Sequence, residues 1–450
     1  MKKFIVVLLT LLMITAALTA CNSQSGSGTS DEAATKTSAQ KSDETSAATV
    51  TATAAAEDTA KTSGSRLTQG SEVITTANVT SNGAINASDI FSERDLRQTA
   101  DLSEAVDYDL SDNSNITIDK AGVYVISGSA SNASIIINAA DDDKVQLVLN
   151  GASISNSSAP AIYVKNADKV FITTVENTTS SLSVTGTFSA DGNTNTDAVI
   201  FSKDDVVLNG LGTLNISSTD NGISGKDDVK ITGGTINITS ASDAIEANES
   251  IAVADGTITI KSNKDGLHAE NDEDNTTGYI YICGGTFNIT SDSDGIQSTT
   301  IAQIDGGSFT ITAAEGIEAT LVQINGGTIS ITASDDGVNA TQKSTAQSVK
   351  VEINNGDITI NMGQGDTDGI DSNGDLYING GTVNVNANSP FDYDGQGQLN
   401  GGTVYVNGSQ TNELTNQFMG GGPGGDMGGG MNGGMGGAPN GGAPNGGFAR

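Results

Sequence analysis

The chain of 450 residues has no tryptophan, one histidine and two cysteines, and aromatic residues make up only 4% of it. Without tryptophan, a flat platform of large rings is excluded. His268 stands with no serine or cysteine partner set in view, which leaves nucleophilic hydrolysis with little support. Cys21 and Cys283 are the two thiols, and because the first is assigned to another role below, no intramolecular disulfide is expected. Lysine and arginine total 20 against 54 acidic residues, a formal charge of −34 that makes nucleic acid and anionic lipid poor partners. The main apolar run, Phe4 to about Met13, falls short of the roughly 20 residues that a membrane span requires.

What the first residues do contain is Lys2 and Lys3, the apolar run and then small residues, the pattern of a secretory signal over 1–20. Its ending, Leu18-Thr19-Ala20-Cys21, resembles a lipobox, which implies cleavage before Cys21 and a diacylglycerol on its sulfur. Loss of the two signal lysines leaves 18 basic residues against 54 acidic ones, a charge of −36. Residues 21–71 are Ser, Thr, Ala and small charged residues with no apolar period, read as a disordered tether. A glycine, methionine and asparagine tail over 416–450 is read in the same way. The placement expected is the extracellular face of a bacterial membrane, held by lipid alone.

Between these ends one phrase recurs: ITGGTINITS, ICGGTFNITS, IDGGSFTITA, INGGTISITA, INGGTVNVNA and variants. Thr213, Thr235, Thr257, Thr286, Ser308, Thr328, Asp357, Thr382 and Thr403 mark the same position at spacings of 22, 22, 29, 22, 20, 29, 25 and 21. A period of this length signals a solenoid. Apolar residues two apart within each phrase read as short strands, and a second phrase (SDAIEA, KDGLHA, SDGIQS, AEGIEA, DDGVNA, TDGIDS) adds another strand per coil. Strands of this size whose partners recur only after a whole coil must stack in parallel. The expected fold is all-β, a single-stranded right-handed parallel β-helix over 116–415, with three strands per coil and glycine pairs at corners needing positive φ. Residues 72–115 are expected to cap its first end, with an amphipathic helix carrying Leu96, Leu102 and Val106. The long spacings place polar insertions at 271–278 and 341–348.

The chemistry is expected in the second phrase. Asp243, Asp265, Asp294, Glu315, Asp336 and Asp368 occupy one position of successive coils, with Asn221 in the same register. Three residues on stand Glu246, His268, Gln297, Glu318, Asn339 and Asp371, facing outward because the residue between points in. Carboxylates stacked about 5 Å apart repel by about 1 kcal/mol per pair even in a water-like dielectric. Lysine is scarce in these phrases, so divalent cations are the natural neutralisers, and a set of oxygen ligands suits Ca²⁺. The densest patch contains Asp366, Asp368 and Asp371. The competing reading is turn chemistry alone, because aspartate before glycine accepts backbone hydrogen bonds at corners. Asn325, Asn379 and Asn400 of the INGG phrase are read as bonding up the stack. Cys283 is read as a core thiol within a strand.

The ordered set AGVYVISG, VQLVLNGASI, APAIYV, ADKVFIT, DAVIFSKDDVVLNGLGTLNI and SDGIQS resembles the bacterial carbohydrate-binding domain family typified by a clostridial cellulose- and polygalacturonate-binding β-helix protein, over about residues 100 to 408. That resemblance implies Ca²⁺ sites, affinity for acidic, pectin-like plant polysaccharide and no requirement for catalysis. With only scattered tyrosines, any cellulose affinity is expected to be the weaker one. Two alternatives stand beside a binding module. One is a Ca²⁺-dependent polysaccharide lyase, with Lys226, Lys230, Lys261 or Lys264 as base; the other is an envelope adhesin or structural rod.

Overall fold

The computed structural model describes residues 48–51, 83–271, 273–363 and 367–416. The expected signal 1–20, Cys21, most of the tether, the tail beyond 416 and Asp366 lie outside them. Among the described residues no helix is long and apolar enough to cross a membrane.

Strand alternation builds the coil. In Thr286–Ser291 the side chains of Phe287, Ile289 and Ser291 are buried while Thr286, Asn288 and Thr290 face water. The next coil repeats the pattern in parallel register, Phe287 over Phe309, and the two rings stack with centroids 4.6 Å apart and planes within 5°. Each coil visits three sheets in turn, the first holding Ile301–Ile304, the second Ser308–Ala313 and the third Glu315–Ala319, and among the described residues each sheet holds thirteen strands. With neighbouring strands about 4.8 Å apart, the stack is on the order of 60 Å long. This is the right-handed parallel β-helix expected, and the handedness follows the strong preference of parallel crossovers.

Two glycine positions have different causes. The second glycine of each pair at the corner into the second sheet takes positive φ, as at Gly234 (86°) and Gly307 (105°). The glycine after the acidic residue does not. There the next coil lies too close for a side chain: a Cβ on Gly316 would stand 2.3 Å from the carbonyl oxygen of Gly337.

The region 72–115 differs from the expected end cap. Among its described residues, 83–115, only Ala87–Ile90 is helical, a single turn. Residues 83–105 instead run lengthwise over the outer face of the first sheet, against the direction in which the coils advance. Ala84 N–H donates to Gln323 Oε1 (3.1 Å) and Ile85 N–H to Gln303 Oε1 (2.8 Å). Further along, Phe91 and Leu96 pack with Tyr281 and Ala252, and Ala100 and Leu102 with Val125, Val148 and Val175. Gln98, almost wholly buried, accepts from Gly210 N–H (2.9 Å) and donates to the Thr232 carbonyl (3.0 Å). The physical reason lies in the first sheet, whose strands are buried on both faces, as in Ile301–Ile304 and Leu321–Ile324, and so need a cover. Leu96 and Leu102 serve two separate patches of this strap, while Val106 is 47% exposed.

The ends are closed by chain rather than by helix. Within the expected tether, Ala48–Thr51 pairs in parallel with Ser114–Thr117, covering an open edge of the third sheet. At the far end Thr403–Val406 and Ser409–Thr411 form an antiparallel hairpin, and buried Leu414 accepts a hydrogen bond from Tyr393 at its carbonyl (2.9 Å). Cys283 is not inside the coil. It follows the strand Tyr279–Ile282 and is half-buried beside Tyr281 beneath the strap, where burial pushes its thiol up to about 11.

Candidate functional site

The outer face of the third sheet carries both acidic columns. The pairing Glu246↔His268↔Gln297↔Glu318↔Asn339↔Asp371 continues coil by coil, so these side chains share one outward line. The other column lies at the strand starts, where at several positions one side-chain oxygen serves the corner. Asp243 N–H donates to Asn221 Oδ1 (3.0 Å), Asp265 N–H to Asp243 Oδ1 (2.9 Å), Asp294 N–H to Asp265 Oδ1 (2.9 Å) and Asp368 N–H to Asp336 Oδ1 (3.2 Å). Corner chemistry therefore uses one oxygen of Asp243, Asp265 and Asp336. The second oxygen remains for the surface, and what it meets divides the face in two.

The lower half is internally compensated. His268 Nδ1 lies 3.4 Å from Asp243 Oδ2 and 3.6 Å from Asp265 Oδ2, and its Nε2 lies 3.0 Å from Glu270 Oε2. Burial opposes a charge on this ring, but the three carboxylates outweigh it and raise the imidazole to about 9. Asp243 would be raised by burial and is instead lowered by the His268 hydrogen bond. Asp265 is raised by burial. Asp243, Asp265 and His268 converge closely enough to hold an ion, yet the imidazolium already supplies the positive charge. Glu246, expected as a ligand, is engaged otherwise: it accepts from Asn221 Nδ2 (2.8 Å) and Ser224 Oγ (3.2 Å), with Lys226 Nζ at 3.7 Å.

The upper half is not compensated in this way. Asp294, Glu315 and Glu318 each present an oxygen within 4.8 Å of the others. Lys343, carried in by the second insertion, sits on Glu318 Oε2 at 2.7 Å, and Gln297 Nε2 donates to the same oxygen (2.9 Å). Asp294 is pushed up to about 8 by burial and by Asp265, Glu315 and Glu318. Burial, with Glu318 and Asp336 adding to it, brings Glu315 to about 7. Asn339 donates to Glu315 Oε2 (3.0 Å), and it is only 8% exposed, yet its own Oδ1 has no partner among the described residues. Asp336 and Asp371, in the following coils, rise to about 7 and about 6 for the same reason of burial among like charges. Neither they nor Asp368 join the three-residue group.

The three carboxylates form an all-oxygen donor set. Ca²⁺ binds oxygen at 2.3–2.6 Å, so its ligands stand within about 5 Å of one another. The spacing of Asp294, Glu315 and Glu318 fits this hard cation, whereas the imidazole in the lower group makes that set less suited to it.

A further acidic group was not anticipated. Asp227, Asp228 and Glu249 converge where the coil passes from third to first sheet, and Asp227 is raised to about 7 by burial beside Asp205. The repeated Lys-Asp-Asp at 203–205 and 226–228 was its sequence signal. The asparagine ladder matches expectation and extends it: Asn400 donates to Asn379 (2.8 Å), Asn379 to Asn354 (2.7 Å), Asn354 to Asn325 (2.8 Å) and Asn325 to Asp305 (2.7 Å). The four lysines considered as bases do not converge. Lys226 and Lys264 share a cleft on the third sheet, Lys230 donates to the Ile90 carbonyl under the strap, and Lys261 points outward from the second sheet.

A family model described as carbohydrate-binding domain-containing protein matches residues 112–367 and 318–413. A protein of the same description from Acetivibrio thermocellus is 31% identical over 122 residues, which is 26% of this chain and 43% of that relative. The match thus spans less than half the length of the relative. A solved structure, that of the polysaccharide lyase-like protein from C. thermocellum in a gadolinium derivative, covers 58% of this chain and 97% of its own at 24% identity, with a TM-score of 0.42.

Proposed function

Because the chain belongs to the carbohydrate-binding domain-containing protein family, we propose that it is a lipid-anchored surface protein that holds acidic, pectin-like polysaccharide through Ca²⁺ on the third sheet. The observation that carries this reading is the Asp294, Glu315 and Glu318 group, an oxygen set whose charges are left largely without a cation. A strongly acidic chain repels an acidic polymer, so contact between them needs a positive intermediary. Ca²⁺, when bound, would supply that charge at a site otherwise closed to an acidic polymer. Glu315 and Asp294 would hold it from the strand starts, and Glu318 from the outward column. Asn339 orients Glu315 through its amide N–H. Cys21 is the proposed anchor, and the segment after it a tether that sets the rod away from the bilayer.

The decisive experiment is retention on insoluble pectin with Ca²⁺ or with chelator. Binding with the ion and release by chelator are expected; chelator-resistant retention by the same protein would sink the reading. A lyase would need a desolvated lysine at the metal group. Lys343 is bound to Glu318 and 28% exposed, so it is poorly placed for that work. No unsaturated product is expected when polygalacturonate is followed in the ultraviolet, and a steady rise in absorbance would establish catalysis instead.

A further inference from the structure

Each of the three acidic groups able to hold an ion has a protein cation at it, and the three cations differ in how they are held. In the lower group of the third sheet the cation is His268 itself, a strand residue whose ring lies among Asp243, Asp265 and Glu270. At Asp227, Asp228 and Glu249 it is Lys230, a buried strand residue whose Nζ stands 3.4 Å from Asp228 Oδ2 and donates to the Ile90 carbonyl of the strap (2.9 Å). Both are fixed by several partners at once. At Asp294, Glu315 and Glu318 the cation is Lys343, and it is held by one.

Lys343 comes from the inserted loop, and only its backbone is pinned. Its N–H and that of Ser344 both donate to Thr320 Oγ1 (3.0 and 2.9 Å), and buried Thr320 in turn donates to the Thr299 carbonyl (2.7 Å). The side chain is 28% exposed, its ammonium meets Glu318 Oε2 at 2.7 Å, and among the described residues Glu318 is its one ion-pair partner. A flexible four-carbon stem lets such an ammonium turn out to water while the loop stays in place. Glu318 has no such freedom: its side chain is 9% exposed, and a carboxylate that far from water needs a positive partner. A divalent ion on this carboxylate and an ammonium on the same carboxylate repel, so the two exclude each other.

We propose that Lys343 is an exchangeable, tethered counter-ion, which neutralises Glu318 in the ion-free protein and swings out to solvent when a divalent cation enters the group. The assignment rests on the metal reading above and adds to it a built-in competitor that sets how much ion the group needs before it fills. Glu318 is thereby paired in both states, and the fold does not depend on the ion. His268 and Lys230, held by several partners, do not exchange in this way.

The test is calorimetric titration of the full mature protein with Ca²⁺, with thermal unfolding followed in chelator and at saturating Ca²⁺; the heat lost in Glu315→Gln identifies the ion held by this group. Lys343→Met is expected to bind that ion about tenfold more tightly, because entry no longer displaces an ammonium, and Lys343→Arg to stay close to the wild type. In chelator Lys343→Met should melt below the wild type, since Glu318 is left buried and unpaired, and the gap should close at saturating Ca²⁺. Equal or weaker Ca²⁺ affinity in Lys343→Met, with the wild type binding, overturns the exchange and leaves the metal reading standing. A melting gap that persists at saturating Ca²⁺ overturns it as well, because Lys343 then never leaves Glu318. Uptake by Lys343→Met alone would make the lysine a permanent counter-ion, and uptake by neither protein ends both readings.

Discussion

Replacing His268 by glutamine removes the positive charge that holds the lower half of the acidic face together, and the size of the effect can be worked from the ring's environment. Its pKa stands at about 9 against an ordinary 6.5, because Asp243, Asp265 and Glu270 outweigh the cost of burial. That difference corresponds to about 3 kcal/mol of preference for the charged ring. A raised pKa stabilises the fold fully below 6.5, where the unfolded chain is protonated too, and the contribution drains away as pH climbs through 9. The wild type should therefore melt well above His268→Gln at pH 6 and converge with it by pH 9.5. Since the chain has a single histidine, its ring proton resonances give a direct titration with no assignment problem. A midpoint near 9 is expected, unmoved by added Ca²⁺ because the imidazolium already fills that place. A midpoint at or below 6.5 would refute the electrostatic account, and a fall on adding Ca²⁺ would show the ion entering the lower group.

Other outcomes follow from the same geometry. Glu315→Gln should lower Ca²⁺ affinity at least about tenfold in calorimetry, since it removes one of three converging carboxylates. Gln98→Ala strands the Gly210 N–H and the Thr232 carbonyl, so a loss of about 3 kcal/mol is expected. Amide exchange at Gly210 should accelerate in the same variant, and unchanged exchange would mean that the strap is not docked. Gly316→Ala forces a methyl to within 2.3 Å of the Gly337 carbonyl oxygen and should cost about 1–3 kcal/mol by thermal melting. Ala244 occupies the same register one coil after Gly222, so Ala244→Gly should be mild by comparison.

The coil was readable because one sentence, GGT followed by alternating apolar residues, recurs with its glycines in place, and each copy must make the same strand. Stacked oxygens followed from the same arithmetic. The division of the acidic face did not, because it depends on where Lys343 and His268 reach, and a side chain's reach across coils leaves no mark in its own repeat. The strap was missed for a different reason. Residues 83–105 have no period of their own, and their conformation is dictated by a surface formed hundreds of residues later. A hint was present: LVLN, VVLN and YIYI in the first sheet are apolar without alternation, the mark of strands covered on both sides. The glycine after each acidic residue was read as a corner requirement, whereas crowding by the next coil is what demands it at Gly316.

The lengthwise strap has a consequence for the order of assembly. Residues 83–105 leave the ribosome, and cross any membrane, before the coils on which they come to rest. Ala84 and Ile85 cannot find Gln323 and Gln303 until those late coils have closed. Its docking is thus a final event that registers completion of most of the solenoid, and a chain truncated before residue 303 would be left with a seam it has no means of fastening.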